Sequence, residues 1–165
     1  MAVSQIINAS LASGVPSAAK LPAGSVLQVV NSVYSGSSVS TTSTSLTTTG
    51  ISASITPTSS SSKVFILLNS NVYQGNTATG GMYTVYRGGT NLATGTSPSI
   101  MGGPYSSAGT VGGLLSLTFL DSPATTSSTT YTVYFATSGG TTYFNFTNGN
   151  ANSTITSFTL MEIAA

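Results

Sequence analysis

From Ser25 to the C-terminus the chain is written in short runs of Val, Ile, Thr, Tyr and Phe, broken every ten or so residues by clusters of Gly, Pro, Asn and Ser. β-branched and aromatic side chains suit a pleated, half-buried surface, and the charged helix formers Glu, Lys and Arg are almost absent. This text predicts strands. Residues 46–56 give the clearest pattern, with Ile51, Ala53 and Ile55 on one face and Ser52, Ser54 and Thr56 on the other.

The same reading places a strand at 25–34, a Ser/Thr tract at 35–45, and a central strand at 63–73 that is apolar on both faces through Val64 to Leu68. Gly88-Gly89 joins 82–87 to 90–94 as a tight hairpin, because glycine reaches the positive φ that two-residue turns require. Residues 95–113 hold so many glycines that they read mostly as an exposed loop. Leu114 to Leu120 resumes the strand text. Residues 130–137 and 141–147 are expected to form a second hairpin across Gly139-Gly140, and 153–163 is the last strand. The first 22 residues differ: Val3, Ile6, Ile7 and Leu11 fall loosely on one helical face before Gly14, Pro16 and Pro22 interrupt it, which reads as a short N-terminal arm. The expected fold class is therefore all-β: an antiparallel, jelly-roll-like β-sandwich over 23–165, preceded by an arm over 1–22. At 165 residues one domain can close its own core without disulfides or metals.

Charge restricts function as strongly as pattern restricts fold. Charged residues are 3% of the chain, namely Lys20, Lys63, Arg87, Asp121 and Glu162. Three cations cannot neutralise several phosphates, so nucleic-acid binding is not expected. The N-terminus does not pair a basic start with a continuous apolar run, so no secretory leader is expected. The longest apolar runs, such as Val64 to Leu68, fall far short of the ~18–20 residues a spanning helix needs, so no membrane partner is expected.

Catalysis is constrained by inventory. Without His or Cys there is no imidazole base, no thiol nucleophile and no ordinary transition-metal site, so neither a catalytic residue, a metal nor a cofactor is assigned. A two-carboxylate glycosidase built on Asp121 and Glu162 is the one hydrolytic design still arithmetically open. Against it, Asp121 precedes Ser122-Pro123 and reads as a turn former bonding nearby amides. Glu162, opposite in phase to Met161 and Ile163, reads as a partner for a cation or as solvent-facing. The patterns Asn8-Ala9-Ser10, Asn145-Phe146-Thr147 and Asn152-Ser153-Thr154 match glycosylation acceptors, but a chain this rich in Asn, Ser and Thr yields them by chance.

Eight Tyr and six Phe outnumber the charges and concentrate in Tyr83, Tyr86, Tyr105, Tyr131, Tyr134, Phe135, Tyr143, Phe144 and Phe146. Most are expected in the core or in cross-strand pairs, with the remainder forming a contact surface; Tyr105 is the best single candidate for exposure. A β-protein normally guards its sheet edges with charge. This one has too little to do so, and Ser and Thr let identical surfaces approach without burying ions. A homo-oligomer is expected.

Several segments, in this order and spacing, resemble a module of virion proteins from marine and freshwater phages, cyanophages among them. They are LPAGSVLQVV at 21–30, GISASITP at 50–57 with a serine run leading into KVFI at 63–66, YRGGTN at 86–91, LDSPA at 120–124 and TLMEI at 159–163. The similarity runs from about Leu21 to the C-terminus. In that family the module resembles the terminal domain of tail fibres and also occurs as small stand-alone virion proteins. The short arm departs from the fibre pattern, which carries a long stalk. The resemblance thus implies a capsid decoration or cement protein, a homotrimer on the outer surface of the virion that contacts the major capsid protein or another virion protein. The alternative it implies is a short tail-fibre or spike knob binding a host surface receptor or glycan.

Overall fold

A computed structural model describes residues 21–93, 97–146 and 154–165. The arm expected over 1–22 lies outside them except for Leu21 and Pro22. The described residues form no helix and eleven strands: β1 (Val26–Tyr34), β2 (Val39–Thr41), β3 (Thr47–Ile55), β4 (Lys63–Gln74), β5 (Thr79–Arg87), β6 (Thr90–Asn91), β7 (Met101–Ser106), β8 (Val111–Asp121), β9 (Thr129–Thr137), β10 (Thr142–Phe144) and β11 (Thr156–Ile163).

All pairings are antiparallel, in two sheets packed face to face as the sandwich class requires. In the larger sheet β4 is central. It carries β8 along one side; along the other, β11 pairs with its first half and β10 with its last residues, flanked in turn by β1 and β2. The smaller sheet runs β3-β9-β5, with β6 and β7 sharing the far side of β5. Inward residues interdigitate between the layers: Val64, Ile66, Leu68, Leu117, Phe158 and Leu160 from the larger sheet meet Ile51, Ile55, Val85, Tyr131, Val133 and Phe135 from the smaller. The alternation at Ile51, Ala53 and Ile55 faces the core as expected, and Ser52 and Ser54 face out. The β5–β6 hairpin is also as expected, with Gly88 at φ +56° in the first central position.

Two expectations are corrected. Of the stretch 95–113 read as mostly loop, the described residues 97–113 include β7 and the start of β8 and are about half strand. Their glycines permit close packing rather than irregularity. Gly103 lies under the Tyr83 ring, where an added Cβ would come within 2.6 Å of it, and Gly113 lies against Pro104. Pro104 is tolerated because Gly103 and Pro104 together face the single residue Gly81 in a bulge, which removes the need for a ladder donor there.

The second correction concerns the expected hairpin across Gly139-Gly140. β9 is paired on both sides, by β3 and β5, and so has no free edge for the next strand. The chain crosses instead to the larger sheet, where β10 pairs with β4 and β2. Gly140, at φ +64°, makes the crossing possible: the side chain of Asn76 fills the space a Cβ would need and accepts the Thr141 N–H at 2.8 Å.

Candidate functional site

β4 brings the two carboxylates close to one another in the fold. Asp121 on β8 and Glu162 on β11 are both register partners of Val64, one on each side of it. Two strand spacings therefore separate their backbones, about 10 Å. Both face inward, at 6% and 0% exposure, and the fully buried Val64 stands between them. Val64 thus occupies the place between acid and base where a glycosidase would hold its substrate.

Each carboxylate is already engaged, in neither case as expected from the sequence. Asp121 does not cap its own turn. Nη1 of Arg87, at the end of β5, donates to both its oxygens at 2.7 and 2.8 Å and also to the Ser122 carbonyl at 3.1 Å. The Tyr131 hydroxyl donates to Oδ2 at 2.7 Å. The cluster ties the end of β8 to β5 and β9 and so clamps the two sheets together. Burial, with the adjacent carboxylate, pushes the Tyr131 hydroxyl well above the usual tyrosine range, so it stays a donor.

Among the described residues Glu162 meets no cation, and it is fully buried from solvent. Its Oε1 accepts from the Thr58 N–H at 2.7 Å and the Thr58 hydroxyl at 2.8 Å, and Oε2 accepts from Gln28 Nε2 at 2.6 Å. Burial alone would raise its pKa; the converging donors outweigh that and hold it below the ordinary 4.5. Its partner Thr58 also lines a cleft of about 330 Å³, together with Leu21, Leu27, Ser59, Ser61, Ser62, Ala164 and Ala165. Among the described residues no three metal-ligating side chains cluster.

The apolar side chains alternating with Glu162 point outward. Register places Val29, Met161, Phe65 and Leu120 side by side across β1, β11, β4 and β8 on the outer face of the larger sheet. Val29 and Leu120, at the ends of this row, are about half exposed. Leu67 and Ile163 lie on the same face, and Lys63 is its one charge among the described residues. Of the exposed large apolar side chains in the described residues, Val26, Val29, Val33, Leu114, Leu120 and Ile155 share the outward phase of this sheet; Tyr105 alone lies elsewhere. The outer face of the smaller sheet is different, presenting hydroxyls from Thr48, Ser52, Ser54, Thr130 and Thr132. The signal for the apolar row was present in the sequence, in the two-faced run Val64 to Leu68 and in Met161 and Ile163 flanking Glu162. What was missing was which strands lie side by side.

The aromatic residues divide by face. Tyr83, Tyr131, Phe135 and Phe144 are core residues. Tyr86 and Tyr134 stack at 4.0 Å on the outside of the smaller sheet. Tyr73, Tyr143 and Phe146 form a half-exposed trio with centroids 4.9–5.9 Å apart, at the end of β4 away from the apolar row. Tyr105 is 64% exposed, as expected, although it sits on strand β7 and not in a loop. Asn145 is fully buried: its Nδ2 donates to the Gly36 carbonyl, and its Oδ1 accepts from Thr154 and Thr156, so it cannot carry a glycan in this fold. The residues Asn8-Ala9-Ser10, Asn152 and Ser153 lie outside the described residues. The chain matches no protein-family model and no curated protein sequence.

Proposed function

We propose that this chain is a non-enzymatic structural protein of a phage particle, bound as trimers to the outer capsid shell, where it stabilises the particle as a decoration or cement protein. The observation that carries the assembly reading is the inverted polarity of β8 and β11. Their carboxylates are turned into the core, and Leu120, Met161 and Ile163 are turned outward onto a nearly uncharged sheet. Soluble monomers rarely keep a contiguous apolar patch of more than a few hundred Å². The phage particle, the capsid location and the threefold symmetry rest on the resemblance of the segments between Leu21 and Ile163 to the virion module. The engagement of Asp121 and Glu162 in structural hydrogen bonds supports a role without catalysis.

A second reading, a tail-fibre or spike knob that binds a host surface glycan, is favoured by one observation: the half-exposed trio Tyr73, Tyr143 and Phe146 offers ring faces of the kind sugars stack on. Copy number and location in purified particles separate the two. Quantitative mass spectrometry against the major capsid protein, with labelling of the virion, is expected to give one trimer per local threefold position of the shell. A few trimers confined to the tail would overturn the decoration reading in favour of the knob.

A further inference from the structure

We infer that the outer face of the larger sheet, across β1, β11, β4 and β8, is the surface through which one copy of this chain binds another. The inference rests on the assembly reading above and adds to it a self-contact of twofold symmetry, separate from the threefold arrangement proposed on the shell. Four strands about 4.8 Å apart and about eight residues long at 3.3 Å each present roughly 500 Å² per copy. Two such faces together reach the ~1,000 Å² that a specific interface needs.

The chemistry of the face suits its own likeness. The row Val29–Met161–Phe65–Leu120 is apolar from edge to edge, so two stacked copies bury hydrocarbon against hydrocarbon. The polar groups beside it are partly satisfied already: the Ser157 and Thr159 hydroxyls both donate to Asn31 Oδ1 at 3.1 Å, which lowers the cost of taking them out of water. Lys63 lies at one end of the face and not in its middle, so two copies can meet without opposing like charges at the centre. A capsid surface could also cover such a face, but the near absence of charge gives no electrostatic handle for a charged partner, whereas a second copy is matched by construction.

The chain contains no Cys, so single cysteines report contacts without background. In the full-length protein, Thr159→Cys and Thr118→Cys on this face are expected to be joined between copies by a short bismaleimide, and Ser52→Cys on the opposite outer face is not. Sedimentation equilibrium is expected to give a dimer, because a face that packs on its own likeness closes by twofold symmetry, and the double variant Val29→Glu/Leu120→Glu is expected to weaken it at least tenfold. Both substituted positions are exposed, so the circular dichroism spectrum of that variant should be unchanged. Ser52→Glu/Ser54→Glu is the matched control and is expected to associate normally. A wild-type chain that stays monomeric at several hundred micromolar, or one cross-linked through Ser52→Cys instead, overturns the inference. High copy number on the shell with a monomer in solution would overturn this contact and leave the proposed function standing. Self-association through this face by a protein confined to the tail would do the reverse.

Discussion

Asp121 and Glu162 reach partners that no local reading could supply: Arg87 lies 34 residues from Asp121, and Thr58 and Gln28 lie 104 and 134 residues from Glu162. A short polar residue before Ser-Pro ordinarily bonds its own turn, which is why the turn reading of Asp121 was the natural one. The sheet packing overrides it by bringing a guanidinium and a phenol to the same carboxylate. Asp121→Asn keeps the shape and removes the charge that Arg87 and Tyr131 address; because Arg87 is 30% exposed, the loss is moderated by solvent. Urea unfolding is expected to register a loss of about 1–3 kcal/mol. Tyr83 is the opposite case. Its hydroxyl is buried with no hydrogen-bond partner among the described residues, and burial pushes its pKa far above the usual range. Tyr83→Phe removes an unsatisfied group, so thermal unfolding should find it as stable as the parent or more stable by up to about 1–2 kcal/mol.

At the scale of elements, the legible parts were those whose cause is local. The alternation in β3 and the glycine turn between β5 and β6 each depend on residues within a few positions of one another. The β7 bulge does not: its glycines look like loop residues until Tyr83, twenty positions away, is laid across Gly103. Gly103→Ala would drive a methyl group into that ring, and the core around Tyr83 leaves it nowhere to move. The expected cost is about 1–3 kcal/mol by denaturant titration, with the β5–β7 amides losing hydrogen-exchange protection first. Gly102, one residue earlier, has open space where its Cβ would go; Gly102→Ala should therefore cost far less in the same assay. The β9-to-β10 crossing was illegible for a related reason. Gly139-Gly140 is compatible with a hairpin or a crossover, and only the double pairing of β9 excludes the hairpin.

For the whole molecule, acid response follows from Glu162. Its folded pKa is lowered, so its ionised form stabilises the protein fully above the unfolded value, near 4.5, and that contribution is lost as pH falls through the lower folded value. Unfolding free energy measured from pH 6 downward should therefore fall below about pH 4.5 in the parent. Glu162→Gln should be less stable near neutrality, since an amide cannot accept at both ends from Thr58 and Gln28, and its stability should change less with pH over that acid range.

The sequence by itself determined the all-β class, the inward phase of Ile51, Ala53 and Ile55, the glycine hairpin, and the poverty of charge and of catalytic side chains, because each follows from residue type or from spacing within one strand. Only the tertiary structure decided that both carboxylates flank Val64 inside the sandwich, that β10 leaves the sheet of β9, and that Val29, Met161, Phe65 and Leu120 line up as one outward row. A strand's sequence fixes which of its side chains share a face, but which strands lie beside it depends on pairings between distant segments, and the row exists only once those strands are in register.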